Sequence, residues 1–322
     1  MTAASVTFSL PRPGSVLTYA QRYSVYAGLV LVLLYNLFFT ANFFEASNIR
    51  TQFVQLVPVL IVALGMSLVI GTEGIDLSVG ASMAMAAAVL PLYIGYGFVP
   101  AAIASVLVAS LIGLVNGTLV AFVGVQPIVA TLSLMVGGRG LALLIAGDRS
   151  RSVSDPVLSQ LSSGSVLGIP YSVLLAATLV VVVALLVSRT TFGKQLVAVG
   201  GNRRAAELSG LPVRRVLLLV YLISAVLAGI AGLVGVSRLS ASVPSTLGNL
   251  IEVSAITAVV VGGTPLTGGR VKIGGTVVGV VLLQLITATL IKHDVSDAVS
   301  QIIQAAIIVL AVFLQRGRQV SR

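Results

Sequence analysis

The stretch Phe53–Thr72, FVQLVPVLIVALGMSLVIGT, runs for 20 residues without a charged side chain. An α-helix needs about 20 apolar residues to cross the hydrocarbon core of a bilayer, and a core helix of a soluble protein is usually shorter and keeps one polar face. Ser24–Ala41 and Val216–Val236 repeat the pattern. Across the chain 57% of residues are hydrophobic and 9% charged, against about 25% charged in soluble domains, so the chain would precipitate without lipid. A membrane β-barrel would show segments of about ten residues with alternating polarity; these runs are uniformly apolar and rich in Leu, Val and Ala. The fold class is therefore all-α, a polytopic transmembrane helical bundle.

Spans are predicted at 24–41, 53–72, 77–95, 99–122, 127–146, 171–188, 215–236, 251–266, 273–291 and 300–315, about ten in all, forming one transmembrane domain over 1–322. The third and eighth adjoin Glu73–Gly80 and Gly262–Gly275, stretches rich in Gly and polar residues that read as helices broken within the bilayer. Five spans per half is an odd number, so a repeat relating the halves would have to be inverted. Trp is absent, which leaves Tyr19, Tyr26, Tyr93, Tyr96 and Tyr171 to mark the interfaces with lipid.

The net charge of +10 comes from Lys and Arg in short loops, where they orient a membrane protein and give no reason to expect nucleic acid. The loop Arg189–Arg215 holds Arg189, Lys194, Arg203, Arg204, Arg214 and Arg215 against Glu207 alone, which places it in the cytoplasm. Counting spans from it puts both the N-terminal segment 1–23, with Arg12 and Arg22, and the tail 316–322, with Arg316, Arg318 and Arg322, on the same side. The expected topology is multi-pass, with both termini cytoplasmic. Arg149 and Arg151 in the outward loop Gly147–Pro170 oppose this count, partly offset by Asp148 and Asp155. Met1–Arg22 carries Pro11, Pro13 and two Arg before the first full span and does not read as a cleavable signal.

With no Cys and a lone His293, disulfides, thiolate metal sites and most His-based catalysis fall away; no catalytic residue, metal or cofactor is expected. No Walker sequence occurs, since Gly193-Lys194 is followed by Gln195, so any ATP-driven work would need a separate ATP-binding subunit. HExxH and GxSxG are also missing, which disfavours an intramembrane enzyme.

Glu73 and Asp76 stand at membrane depth, where an acidic group costs about 2.5–3.5 kcal/mol on insertion scales. Two readings are open: the segment lines or gates a substrate path, or Asp76 simply N-caps the third span. The other polar groups at or near that depth are Asn116, Thr118, Thr131, Ser133, Arg139, Glu252 and Gln284. They suit a path for a hydroxyl-rich ligand, or else hydrogen bonds between helices. Arg139 must be paired or snorkelling, with Asp76 or Glu73 as candidate partners. Gly113-xxx-Gly117 and Gly275-xxx-Gly279 have the spacing for close helix packing, here within the chain rather than as a dimer seam. In the cytoplasmic loop, Asn202 suits an N-cap, Arg203–Ser209 gives about two turns and Gly210 suits the C-terminal end, so a short helix is predicted.

Gly74-Ile75-Asp76-Leu77-Ser78-Val79-Gly80 looks like the signature of the permeases of ribose-type sugar importers, the binding-protein-dependent inner-membrane components of ATP-driven systems. Gln126–Leu132 with Met135 and Arg139-Gly140, Ala198–Asn202 with Ala205-Ala206 and Ser209-Gly210, and Glu252 with Ala255–Thr264 resemble further segments of that family in the expected order. Departures are Glu73 where a Gly is usual, Ser254 for an acidic residue and Pro265 for Ser. The Gln126–Gly140 stretch looks closest to permeases for galactofuranose, with ribose-type ones next.

The resemblance implies a permease that carries a monosaccharide, with Glu73, Asp76, Ser78, Asn116, Thr131, Arg139, Glu252 and Gln284 as path or gating candidates. It makes the 189–214 loop a coupling loop, in which Asn202, Arg203, Arg204 and Glu207 would seat on the ATP-binding subunit. Implied partners are that subunit, an extracytoplasmic sugar-binding protein, a second permease subunit and membrane lipid. An ion-coupled secondary transporter, using Glu73 and Asp76 as coupling carboxylates, and a branched-chain amino-acid permease are the rival readings.

Overall fold

The computed structural model describes residues 13–316. Arg12, Arg318 and Arg322 lie outside the described residues, as do the side chains of Tyr19, Arg22 and Arg316. The helices are α1 (Pro13–Phe39), α2 (Ala46–Gly71), α3 (Val79–Tyr93), α4 (Phe98–Thr118), α5 (Pro127–Ala146), α6 (Pro156–Ser163), α7 (Tyr171–Arg189), α8 (Thr191–Gly201), α9 (Arg203–Leu208), α10 (Val213–Leu239), α11 (Ile251–Val261), α12 (Ile273–Lys292) and α13 (Asp297–Arg316). Two-residue strands β1 (Arg151–Ser152), β2 (Ser165–Val166), β3 (Ile169–Pro170) and β4 (Ala241–Ser242) complete the set.

Local chemistry fixes many of these bounds. Pro127 opens α5 with its φ already helical, and Gly147 closes it at φ +66°. Asp155 caps α6 by accepting from the backbone N–H groups of Val157 and Leu158, each at 2.9 Å. The helix predicted at 251–266 stops at Val261, because Gly262 ends it and Gly263 turns the chain at φ +90°.

Among the described residues, seven helices are long and apolar enough to cross a membrane: Ala46–Gly71, Val79–Tyr96, Phe98–Val123, Pro127–Ala146, Tyr171–Arg189, Val213–Leu239 and Ile273–Lys292. The apolar helices over Val25–Phe39, Ile251–Val261 and Ala298–Ile307 are shorter. Burial separates the centre from the rim: 78% of the most apolar stretch of α2 is buried but only 17% of that of α7. The central helices are α2, α3 and α10. α10 packs against α2, α3 and α4, while α2 packs against α10, α11 and α12.

Close approach explains the spaced glycines. A methyl on Gly113 of α4 would strike the Tyr221 carbonyl oxygen and the Ala225 side chain of α10, and one on Gly117 would lie 2.9 Å from Leu218 Cδ1. Gly275 and Gly279 of α12 press in the same way on Gly262 and Ala258. Both motifs therefore serve packing within the chain, where backbones in near contact gain dispersion energy that lipid cannot match.

The loop between α5 and α7, expected only as a connection, is built. α6 buries Leu158, whose carbonyl accepts from Ser237 Oγ at 2.5 Å. β2 and β3 form a hairpin, and β1 pairs antiparallel with β4, Arg151 opposite Ser242. At the opposite end of α10 lie α8 and α9.

Candidate functional site

Between α2 and α3 the chain breaks over 72–78 and turns back into the bundle. Asp76 sits in this break with 1% of its surface exposed. Its Oδ1 accepts from the Ser78 backbone N–H at 3.0 Å and from Ser78 Oγ at 2.7 Å. Its Oδ2 accepts from Ser224 Oγ of α10 at 2.8 Å. Asn116 of α4 donates through Nδ2 to Ser78 Oγ at 2.7 Å, so a relay runs from α4 through Ser78 to the carboxylate. Thr131 Oγ1 of α5 lies 3.1 Å from the Ile75 carbonyl and 2.9 Å from that of Pro127. Three donors answer the desolvation that a buried carboxylate suffers.

The geometry revises the capping expectation for Asp76. Ser78, not Asp76, holds the N-cap position of α3, and Asp76 accepts from Ser78 rather than from the helix's own first N–H groups. The carboxylate instead clips the break to α10. Two polar groups beside it have no hydrogen-bond partner, Tyr221 OH and Asn116 Oδ1. A methyl on Gly74 would come within 2.6 Å of that Tyr221 hydroxyl, which faces the break.

Arg139 does not pair with Asp76 or Glu73. It is half-buried on α5, its Nη1 lies 3.5 Å from the Ser245 carbonyl, and its carboxylate neighbour is Glu252 in the first turn of α11. Both approach Gly80: a methyl there would lie 2.8 Å from Glu252 Oε2, 3.2 Å from Arg139 Nη2 and 2.5 Å from the Gly248 carbonyl.

Glu73 is exposed at φ +65°, away from the buried cluster and beside Gly268. Gln284 of α12 also stands apart, donating to Gln52 Oε1 at 2.6 Å and Gln55 Oε1 at 3.2 Å on α2. Among the described residues no three His, Asp or Glu side chains converge as a metal site would need.

α9 is the short helix read from the loop. Asn202 Oδ1 accepts from the Ala205 N–H at 2.9 Å, and Gly210 turns at φ +77° as its N–H reaches the Glu207 carbonyl at 3.0 Å. Arg203 and Glu207, both exposed, form an ion pair at 3.4 Å. The preceding α8, unforeseen, carries Gly200 in its last turn, and a methyl there would collide with the Gly71 carbonyl and lie 2.7 Å from the Gly269 nitrogen. Gly269 N–H in turn donates to the Gly71 carbonyl at 3.0 Å. α8 thus touches the end of α2 and the 262–272 break in one knot of backbone.

Ser224, Tyr221, Gln52 and Gln55 complete these clusters and escape sequence reading. Ser224 and Tyr221 are isolated polar residues in an apolar span, and only the Asp76 side of the pairing was visible.

Comparison with known proteins fits this arrangement. The family model described as "Branched-chain amino acid transport system / permease component" matches residues 48–312. The galactofuranose transporter permease protein of Escherichia coli (strain K12) is 38% identical over 82% of this chain and 78% of its own length. The fructose import permease protein of Bifidobacterium longum (strain NCC 2705) is 36% identical over 84% and 78%. The ribose import permease protein of Escherichia coli (strain K12) is 33% identical over 93% and 94%. No solved structure matches. With a break held by Asp76, a bundle of membrane-length helices and a match over most of its length, the chain belongs to the family of permease components typified by branched-chain amino acid transport systems.

Proposed function

We propose that the chain is the membrane-spanning subunit of an ATP-driven importer that carries a monosaccharide, galactofuranose or ribose being the first to test, across a bacterial inner membrane. The observation that carries this reading is the length of the match to sugar permeases, which reaches 93% of the chain for the ribose protein. The family's description speaks of branched-chain amino acids, and leucine is therefore the control substrate.

In this reading the chain crosses the membrane ten times with both termini and α9 in the cytoplasm. The three shorter apolar helices then join the seven long ones, and the cationic Arg189–Arg215 loop faces inward. An inverted five-plus-five repeat is supported by packing: exchanging α2 for α10, α3 for α11 and α4 for α12 turns the neighbours of one central helix into those of the other. α9 would seat on a separate ATP-binding subunit through Asn202, Arg203, Arg204 and Glu207. Its motion would pass through Gly200 to Gly71 and Gly269, and so to the Asp76 break, biasing which side of the path is open. A sugar-binding protein would deliver substrate outside, and a second permease subunit would complete the path, whose candidate lining is Glu73, Asp76, Ser78, Asn116, Thr131, Arg139, Glu252 and Gln284.

The test is purification of the tagged chain from its native membrane in mild detergent. An ATP-hydrolysing subunit should come with it, and the reconstituted complex should accumulate sugar, not leucine, only with ATP. Recovery of the chain alone, active under an ion gradient, would overturn the reading in favour of secondary transport.

A further inference from the structure

Glu252 carries an unanswered acceptor. The residue is 8% exposed, and its Oε2 has no hydrogen-bond partner. That atom lies beside Gly80, as does Arg139 Nη2: the two lie within ~6 Å of each other, each being close to the position of a methyl on Gly80. The two do not form a direct ion pair. Arg139 spends one nitrogen on a long contact of 3.5 Å to the Ser245 carbonyl. The groups come from α5 and α11, with α3 between them at its glycine.

The gap selects its occupant. Whatever bridges it must donate to Glu252 Oε2 and accept from Arg139. A hydroxyl does both with one oxygen, and two hydrogen bonds of about 2.7–2.9 Å leaving that oxygen near the tetrahedral angle span about 4.6 Å, within the separation of at most ~6 Å. An ammonium group can only donate and a carboxylate can only accept. An amino-acid zwitterion carries both groups on different atoms, so it would need a wider gap or a folded ligand. A methyl at position 80 would also come within 2.5 Å of the Gly248 carbonyl, so Gly80 is required by packing against Gly248 as well.

We propose that Arg139 and Glu252, spaced across Gly80, form a polyol contact point in the translocation path, gripping one hydroxyl of the sugar as it passes. This rests on the reading of the chain as a sugar permease and assigns that permease a specific contact.

The test is uptake of radiolabelled D-ribose, D-galactose, D-fructose and L-arabinose by proteoliposomes of the whole importer, with [14C]leucine beside them. Quantities of inserted protein and ATP hydrolysis by the complex are read in parallel. For the sugar that the unaltered importer carries, Glu252→Gln keeps an acceptor oxygen and is expected to lower uptake about 3-fold, whereas Glu252→Leu lowers it at least 30-fold. Arg139→Gln behaves like Glu252→Gln and Arg139→Met like Glu252→Leu. Arg139 is half-buried, so its variants report even if Glu252→Leu fails to insert.

Equal loss with Gln and Leu at position 252, rescued by the swap Arg139→Glu with Glu252→Arg, overturns the polyol contact and makes the two residues a direct electrostatic latch. Uptake insensitive to all the variants overturns it too. If the unaltered complex carries leucine and none of the sugars, the permease reading itself has failed on substrate, and the contact point falls with it.

Discussion

Ser224 of α10 donates its hydroxyl to Asp76 Oδ2 at 2.8 Å, joining residues 148 positions apart in the buried centre of the molecule. Ser224→Ala removes one of three donors to a buried carboxylate. Leaving a charged acceptor short of a partner costs about 1–3 kcal/mol, so the purified variant is expected to unfold at a lower temperature in detergent. Ser78→Ala removes both the Oγ donor and the acceptor for Asn116, and should fall further. Melting curves that place Ser78→Ala above Ser224→Ala would show that the relay is not organised around Ser78.

Gly200 has no room for a side chain against Gly71 and Gly269. Gly200→Val must push α8 off the breaks, and the expected result is a protein that inserts normally but loses ATP-driven uptake by tenfold or more. Uptake at the unaltered rate would show that the knot transmits nothing.

Reversing charge on α9 addresses docking rather than transmission. Arg203→Glu with Arg204→Glu leaves the Asn202 cap intact and gives up only an exposed ion pair, worth about 0.3–0.5 kcal/mol within a helix. Membrane insertion should be unaffected while the ATP-hydrolysing subunit no longer co-purifies. A complex that survives the double substitution with full uptake would remove α9 from the docking role.

Glu73 sits at φ +65°, a conformation costing non-glycine residues roughly 1–2 kcal/mol. Glu73→Gly should relieve that strain, raise the unfolding temperature and keep uptake within about twofold. A tenfold loss of uptake would instead mark the carboxylate itself as part of the path.

Gly113→Leu wedges α4 from α10 at the Tyr221 carbonyl. Overpacking of this kind costs typically 1–3 kcal/mol, and the variant should accumulate poorly in the membrane, measured by quantitative blotting. Ala at the same place should show a smaller defect, because its methyl meets the same oxygen but nothing further out.

Much of this was legible in the chain itself because membrane spans announce themselves by length and polarity. α5 was read at 127–146, the bounds it has, since Pro127 and Gly147 punctuate it. The break before α3 was legible because two carboxylates in apolar sequence must have a reason. The partners of those carboxylates were not. A lone Ser224 in an apolar helix carries no signal of what it faces, and for Arg139 the sequence suggested Asp76 or Glu73, with nothing in spacing to point to Glu252. α6 and the strands escaped as well, because a two-residue strand has no period to detect and its pairing joins segments far apart in sequence.

The β1–β4 pairing binds the chain leaving α5 to the chain leaving α10, reinforced by the Val153 N–H donating to the Ser240 carbonyl at 3.0 Å. It is a yoke. Whatever tilts α5 at that end must drag the approach to α11 with it, so Arg139 and Glu252 ride on elements harnessed together rather than drifting independently. The yoke is made of backbone hydrogen bonds, so salt should hardly loosen it. The exposed Arg203–Glu207 pair at the other end of α10 is open to screening, and ionic strength becomes a lever that acts on one face of the molecule while leaving the other rigid.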